Sequence, residues 1–162
     1  MRLILASVTF WLFVVWSCFI LGAGVYEALV VEPFWAGAAP TSLMASNPLL
    51  VVPERAGMVF WSTVTPGLGV VALAALLTSF GTPRPHMTWR IASTGLALFT
   101  ILVTAVYFVP TIIKMVAHHG GGLPDDVVVA EVKRWVMLNW FRVAAMVVSI
   151  GMGIRALLLP MS

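Results

Sequence analysis

The sequence predicts an all-α integral membrane protein, an antiparallel four-helix bundle with two longer loops on one face. Three observations carry that expectation. The 162 residues are 61% hydrophobic and only 9% charged, with a mean hydropathy of +1.05, a membrane composition rather than that of a soluble domain. A hydrocarbon layer of about 30 Å is crossed by roughly 20 apolar residues in a helix. Four such stretches occur, at about 3–31, 56–80, 91–113 and 135–159. Their apolar runs are continuous, unlike the ~10-residue alternating segments of a β-barrel. The connections are too short for a second domain, so 1–162 reads as a single four-transmembrane-helix domain.

The first apolar stretch is longer than the core of a cleaved signal, although the small-residue patch Ala36-Gly37-Ala38-Ala39 follows it. Cys18, the only cysteine, sits mid-span two residues after Trp16 and reads as a packed thiol; alone it offers no intramolecular disulfide. At helical spacing Ser17, Ile20, Gly24 and Glu27 share one face, with Tyr26 alongside. The first loop, about Glu32–Arg55, holds Pro33, Pro40, Pro48 and Pro53. In the second helix Met58, Ser62, Thr65, Gly69 and Ala72 form a stripe. A short proline-rich turn, Gly81–Arg90, leads to the third, where Thr100, Thr104, Tyr107, Thr111 and Lys114 do the same. The other long loop, about Lys114–Arg134, carries His118, His119, the Gly120-Gly121-Gly122 hinge and Pro124-Asp125-Asp126. Either aspartate suits the cap of a short amphipathic helix leading into Trp135. In the fourth helix Trp135, Asn139, Arg142, Ala145, Ser149 and Gly153 line up, and small residues every fourth position permit close helix approach. Trp35, Trp61, Trp89, Trp135 and Trp140 fall near helix ends, as an interfacial aromatic belt would.

The net charge of +3 is spread over loops with no cluster and no reading motif, which argues against a nucleic-acid partner. One face carries Arg2, Arg84, Arg90 and Arg155 and no acidic residue. The other mixes Arg55, Lys114, Lys133 and Arg134 with Glu32, Glu54, Asp125, Asp126 and Glu131. The concentration of the first set in a short loop and the termini favours both termini in the cytoplasm.

Arg142 is the most informative residue. A guanidinium keeps its charge, and one about two turns inside a membrane helix is costly wherever it faces lipid, so it points into protein. Because the helices alternate in direction, Glu27, Ser62, Thr65, Tyr107, Lys114, Asn139 and Arg142 all fall near the outer end, at the depth of Pro66 and Pro110. The expectation is a polar pocket there, capped by the two long loops, with Glu27 as the counter-ion of Arg142. Glu27, Tyr107, Asn139 and Arg142 are the candidate catalytic residues. Tyr26, Trp61, Ser62, Thr65, Thr104, Thr111, Lys114 and Trp135 are candidate ligand contacts. The same cluster could instead serve only to fix helix register.

His118 and His119 raise a metal reading, with Glu27, Asp125 or Asp126 as further ligands. Neighbouring residues on a helix point about 100° apart, so they do not supply both axial ligands of one haem. No phosphate loop, paired-cysteine zinc motif or nucleophile elbow is present. No cofactor is expected, a metal at these histidines stays open, and haem is disfavoured.

The stretch from Trp135 through Asn139 and Trp140 to Arg142 resembles the signature that opens the last helix of the anthrone oxygenase-like small membrane proteins. The segment Thr104–Pro110 resembles that family's third-helix end, and Gly22, Gly24, Tyr26 and Pro33 resemble its first-helix exit. Phe108 and Ile112 stand where the family often has asparagine, and Trp140 where it often has histidine. The resemblance implies four helices and oxidation of an anthrone to an anthraquinone by O2 without metal or flavin. It would give Arg142 the enolate or peroxide oxygen, Asn139 and Tyr107 its orientation, and Glu27 or a loop histidine the role of base. Three readings follow from the sequence. One is an oxidoreductase-like protein binding a lipophilic aromatic or quinone-like molecule. The second is a non-enzymatic accessory or assembly subunit of a membrane complex, or a homo-oligomer, packed in lipid. The third is a metal-binding membrane protein.

Overall fold

The computed structural model describes residues 2–46, 56–117 and 124–160. Every regular element among them is helical, and four helices are long and apolar enough to cross a membrane. The first runs unbroken over Arg2–Ala36. The second is Ala56–Ser79. The third comprises Arg84–Val103, Thr104–Phe108 and Val109–Ala117 in one continuous rod, and the fourth is Asp125–Leu158. They close into a ring in which first packs on second, second on third, third on fourth and fourth on first.

Three boundaries differ from the sequence reading, each for a local reason. The first helix continues past Val31 because Pro33 falls in the first turn of the closing segment Glu32–Ala36, where a missing N–H is tolerated. Glu32 is therefore a helical residue at the bundle end, not the start of a loop. The third helix begins at Arg84 with Pro85 in its first turn, so His86 and Arg90 are buried helix residues rather than parts of an exposed turn. The fourth absorbs the expected short amphipathic helix into one rod starting at Asp125, with both aspartates in the first turn, where acidic groups suit the helix dipole.

Two of the rods contain a π-helical turn, Glu27–Val31 in the first and Thr104–Phe108 in the third. Both are followed by a proline at the second position, Pro33 and Pro110. A proline ring clashes with the carbonyl four residues before it and lacks a donor, so a local widening of the helix relieves both problems. Pro66 instead lies within the regular second helix.

The packing is layered along the bundle. A lower apolar core centres on Phe10, Phe13, Leu68, Ala72, Ala75 and Ala97. Close approach of the third and fourth helices rests on a reciprocal clamp: Ser93 Oγ donates to the Ser149 carbonyl at 2.7 Å, and Ser149 Oγ donates to the Ser93 carbonyl at 2.8 Å. Gly153 makes the approach possible, since a Cβ there would sit 3.0 Å from Val14 Cγ2 and 3.1 Å from Ser93 Oγ. An upper apolar cluster of Trp35, Leu43, Phe108, Ile112, Met115, Val128, Val132 and Trp135 closes the end of the bundle away from the N-terminus. Its lid is the short helix Thr41–Ser46, pinned where Ser42 Oγ donates to the Trp35 carbonyl at 2.9 Å. Trp35 and Trp135 stack edge-on at 5.2 Å inside this cluster, so they are packing residues and not members of an interfacial belt.

Candidate functional site

Between the two apolar layers lies the polar level that contains Arg142. The half-buried guanidinium sits over the Phe108 ring at 4.8 Å and is 6.0 Å from that of Trp61. It donates one long hydrogen bond, 3.4 Å, to Thr104 Oγ1. That hydroxyl itself donates to the Thr100 carbonyl at 2.8 Å. The π turn at Thr104–Phe108 thus supplies both the acceptor and the aromatic face that Arg142 uses.

The expected Glu27–Arg142 ion pair does not form. Among the described residues the one ion pair within 4.0 Å is Arg134–Glu131, on the surface. Glu27 lies next to the Trp61 side chain and within the field of Arg142, but faces a different compartment. The carboxylate that engages the fourth helix is Glu32, only 2% exposed, whose Oε2 accepts a 2.8 Å hydrogen bond from Asn139 Nδ2. The sequence places Glu32 at the start of the first long loop, about Glu32–Arg55. No sequence signal separates the case of Pro33 from that of Pro66, which sits in a regular helix, so the helical placement of Glu32 is read from the structure. In an uninterrupted α-helix residues five apart are about 140° apart. Across the π turn the Glu32 N–H bonds the Glu27 carbonyl, so the two residues stack.

Two cavities flank Arg142. A small one of about 40 Å³ is walled by three residues from each helix, with Trp61, Thr65, Thr100, Thr104 and Arg142 as its polar-capable lining. A larger groove of about 670 Å³ runs along the first and second helices, lined by Cys18, Phe19, Gly22, Tyr26, Glu27, Phe60 and Trp61. Trp61 belongs to both walls. The groove is mainly apolar, with Glu27 its one charged residue, and Cys18 is exposed along it rather than packed away.

The remaining candidates divide. Tyr26, 60% exposed, lines the groove, and Thr65 and Thr104 line the small cavity. Asn139 is fully buried and lines neither; its Oδ1 has no hydrogen-bond partner among the described residues. Tyr107 stacks edge-on against Phe108 at 5.3 Å with its buried hydroxyl likewise unpartnered there. Trp135 is spent on packing, its Nε1 donating to the Phe108 carbonyl at 3.3 Å. Ser62 is exposed and donates to the Val59 carbonyl of its own helix, which takes it out of the cluster. Thr111 is half-buried and Lys114 exposed, and neither reaches the two cavities. His118 and His119 lie outside the described residues. Among the described residues no three His, Cys, Asp or Glu gather in a way that could hold a metal.

At the opposite end Arg90, expected in the short proline-rich turn, is a buried guanidinium of the third helix. Arg90 sits 4.7 Å over the Phe10 ring and donates to the Ala6 carbonyl at 3.1 Å. His86 holds the end of the fourth helix, with Nδ1 3.0 Å from the Ala156 carbonyl and Nε2 3.2 Å from that of Pro160.

The family model described as anthrone oxygenase matches residues 58–152, more than half of the chain. The chain belongs to the anthrone oxygenase family. The matched part spans the second and third helices and most of the fourth, so it holds Trp61, Thr65, Thr104 and Arg142, the polar wall of the small cavity; Glu27 and Glu32 lie before it. No curated protein and no solved structure matches the chain. For a member of the anthrone oxygenase family, the arrangement offers one carboxylate on an apolar groove and one cation on a small chamber, with an aromatic wall between them.

Proposed function

We propose that this protein is a membrane oxidoreductase that binds a flat, lipophilic, acidic aromatic of the anthrone type and oxidises it with O2. The observation that carries the reading is the division of space around Trp61. A chamber of about 40 Å³ excludes a fused-ring substrate, whereas a groove of about 670 Å³ has the size of a small-molecule site and opens at the surface of the bundle, where Phe19 and Tyr26 are exposed. The organic substrate then occupies the groove, stacked among Phe19, Phe60 and Trp61, with its acidic C–H at Glu27. Glu27 takes that proton as general base. The carbanion so formed gives electrons to O2, a C–O bond forms, and loss of water from the hydroperoxide leaves a carbonyl. In sum CH2 plus O2 becomes C=O plus H2O. Arg142 stabilises the negative charge that develops on oxygen. Both termini in the cytoplasm would put this site near the outer face of the membrane.

The buried Glu32–Asn139 pair favours a second reading, in which the polar level only fixes helix packing in an accessory subunit. One experiment separates the two. Purified protein is given a hydroxylated anthrone, O2 consumption is followed, and labelling of the single Cys18 by a lipophilic maleimide is measured in parallel. The expected result is one O2 consumed per anthrone and protection of Cys18 by the substrate. Gly22→Leu, which adds a side chain where nothing lies within 4 Å of the new Cβ, fills the groove and removes both effects while the protein stays folded. No O2 consumption together with unchanged labelling would falsify the oxidoreductase reading.

A further inference from the structure

Arg142 has five N–H donors and spends one of them, on a 3.4 Å contact to Thr104. It has no carboxylate within 4.0 Å among the described residues. Glu27, the carboxylate that shares its field, opens onto the groove on the other side of Trp61. A guanidinium at membrane depth with most of its donors uncommitted calls for an anionic partner. The space beside it is already shaped. The chamber holds about 40 Å³, which fits a group of one or two heavy atoms; Arg142 is its cation, the Thr100 and Thr104 hydroxyls on its wall already donate to the Ala97 and Thr100 carbonyls, and Ile20, Leu21, Leu68 and Met146 supply the apolar remainder.

We infer that the chamber beside Arg142 is a binding site for a small anion of one or two atoms. Two sources share that chemistry, a free halide and the reduced form of dioxygen produced during turnover; the second rests on the oxidation proposed above. Charge balance supports the coupling of the compartments. When Glu27 accepts a proton from a substrate in the groove, its negative charge disappears, and Arg142 gains a place for an anion on its own side of Trp61. The carbanion loses one electron and O2 gains it and becomes superoxide; the C–O bond forms once superoxide passes from the chamber around Trp61 to the substrate radical in the groove. Superoxide held against Arg142 is stabilised by the charge-assisted hydrogen bonds the guanidinium has left over.

The test uses the full chain in halide-free detergent micelles with bromide as the probe. Bromide quenches tryptophan emission, and Trp61 lies at the chamber wall. Wild type is expected to show a saturable component of quenching. Arg142→Gln weakens it about tenfold or more through loss of the cation. Gly24→Val removes it by filling the chamber, since a Cβ at Gly24 meets nothing within 4 Å. Gly22→Leu, in the neighbouring groove, leaves it in place. Purely linear quenching in wild type, indistinguishable from Gly24→Val, overturns the site. During anthrone turnover, bromide competing against O2 identifies reduced dioxygen as the natural occupant, and saturable binding with no effect on O2 dependence identifies a free halide. Should anthrone oxidation fail while saturable bromide binding persists, the site stands and the oxidation reading falls.

Discussion

A carboxylate enclosed by protein at membrane depth needs donors of its own, and Glu32 finds one in Asn139 at 2.8 Å. The pair ties the end of the first helix to the fourth, one turn above Arg142, and so sets the height of the guanidinium over Phe108 and Thr104. Removing one partner strands the other in a site closed to water, a loss that exceeds the value of the bond itself. Glu32→Leu or Asn139→Leu alone should therefore lower stability by about 1.5–3 kcal/mol, and the double substitution should cost less than the sum of the two. Thermal unfolding of the four proteins in one detergent measures the coupling; strictly additive losses would show that the contact contributes nothing. Asn139 and Arg142 were legible in the sequence because a polar residue in an apolar helix has few bland explanations. Glu32 was not, because a following proline in an exit segment imitates a loop start.

The two π turns are the elements that build the site. Each places a proline at the second position after the widened turn, and each presents its residues to the same polar level: Glu27 and Glu32 from one, Thr104 and Phe108 from the other. Hydrophobic periodicity averages over such a turn and does not register it, so helix count and approximate span were readable while this local rotation was not. A single-residue deletion tests its role. Removing Leu29, which is exposed, turns the widened turn into an ordinary α-helical one in which Glu32 becomes the fourth residue after Glu27 and still stacks on it. Glu32 then keeps its place against the fourth helix. In the deletion background Asn139→Leu should keep its cost of about 1.5–3 kcal/mol. Coupling lost after the deletion would mean that the widened turn itself, and not the register it sets, orients Glu32.

At the scale of the whole molecule two arginines among the described residues are buried or half-buried, one toward each end, in contrasting surroundings. Arg90 is 4% exposed, covers Phe10, bonds the Ala6 carbonyl and lines neither cavity. Arg142 faces a chamber and keeps donors in reserve. The four spans and the packing seam of the fourth helix follow from hydropathy and small-residue spacing alone. The division of labour between the arginines does not, because Arg90 reads as part of a proline-rich turn until the third helix is seen to start at Arg84. The difference makes opposite expectations for two substitutions. Arg90→Leu removes a link between the first and third helices and should lower the melting temperature by a few degrees, in line with a loss of about 1–2 kcal/mol, while bromide affinity stays within about twofold of wild type. Arg142→Gln should do the reverse, sparing the melting temperature and weakening bromide binding about tenfold or more, because a cation with unspent donors contributes more to a ligand than to the fold. Melting curves and bromide titrations on the two variants decide it. If both lose stability equally and neither changes bromide binding, the two ends of the bundle play the same structural part and the chamber has no ligand to hold.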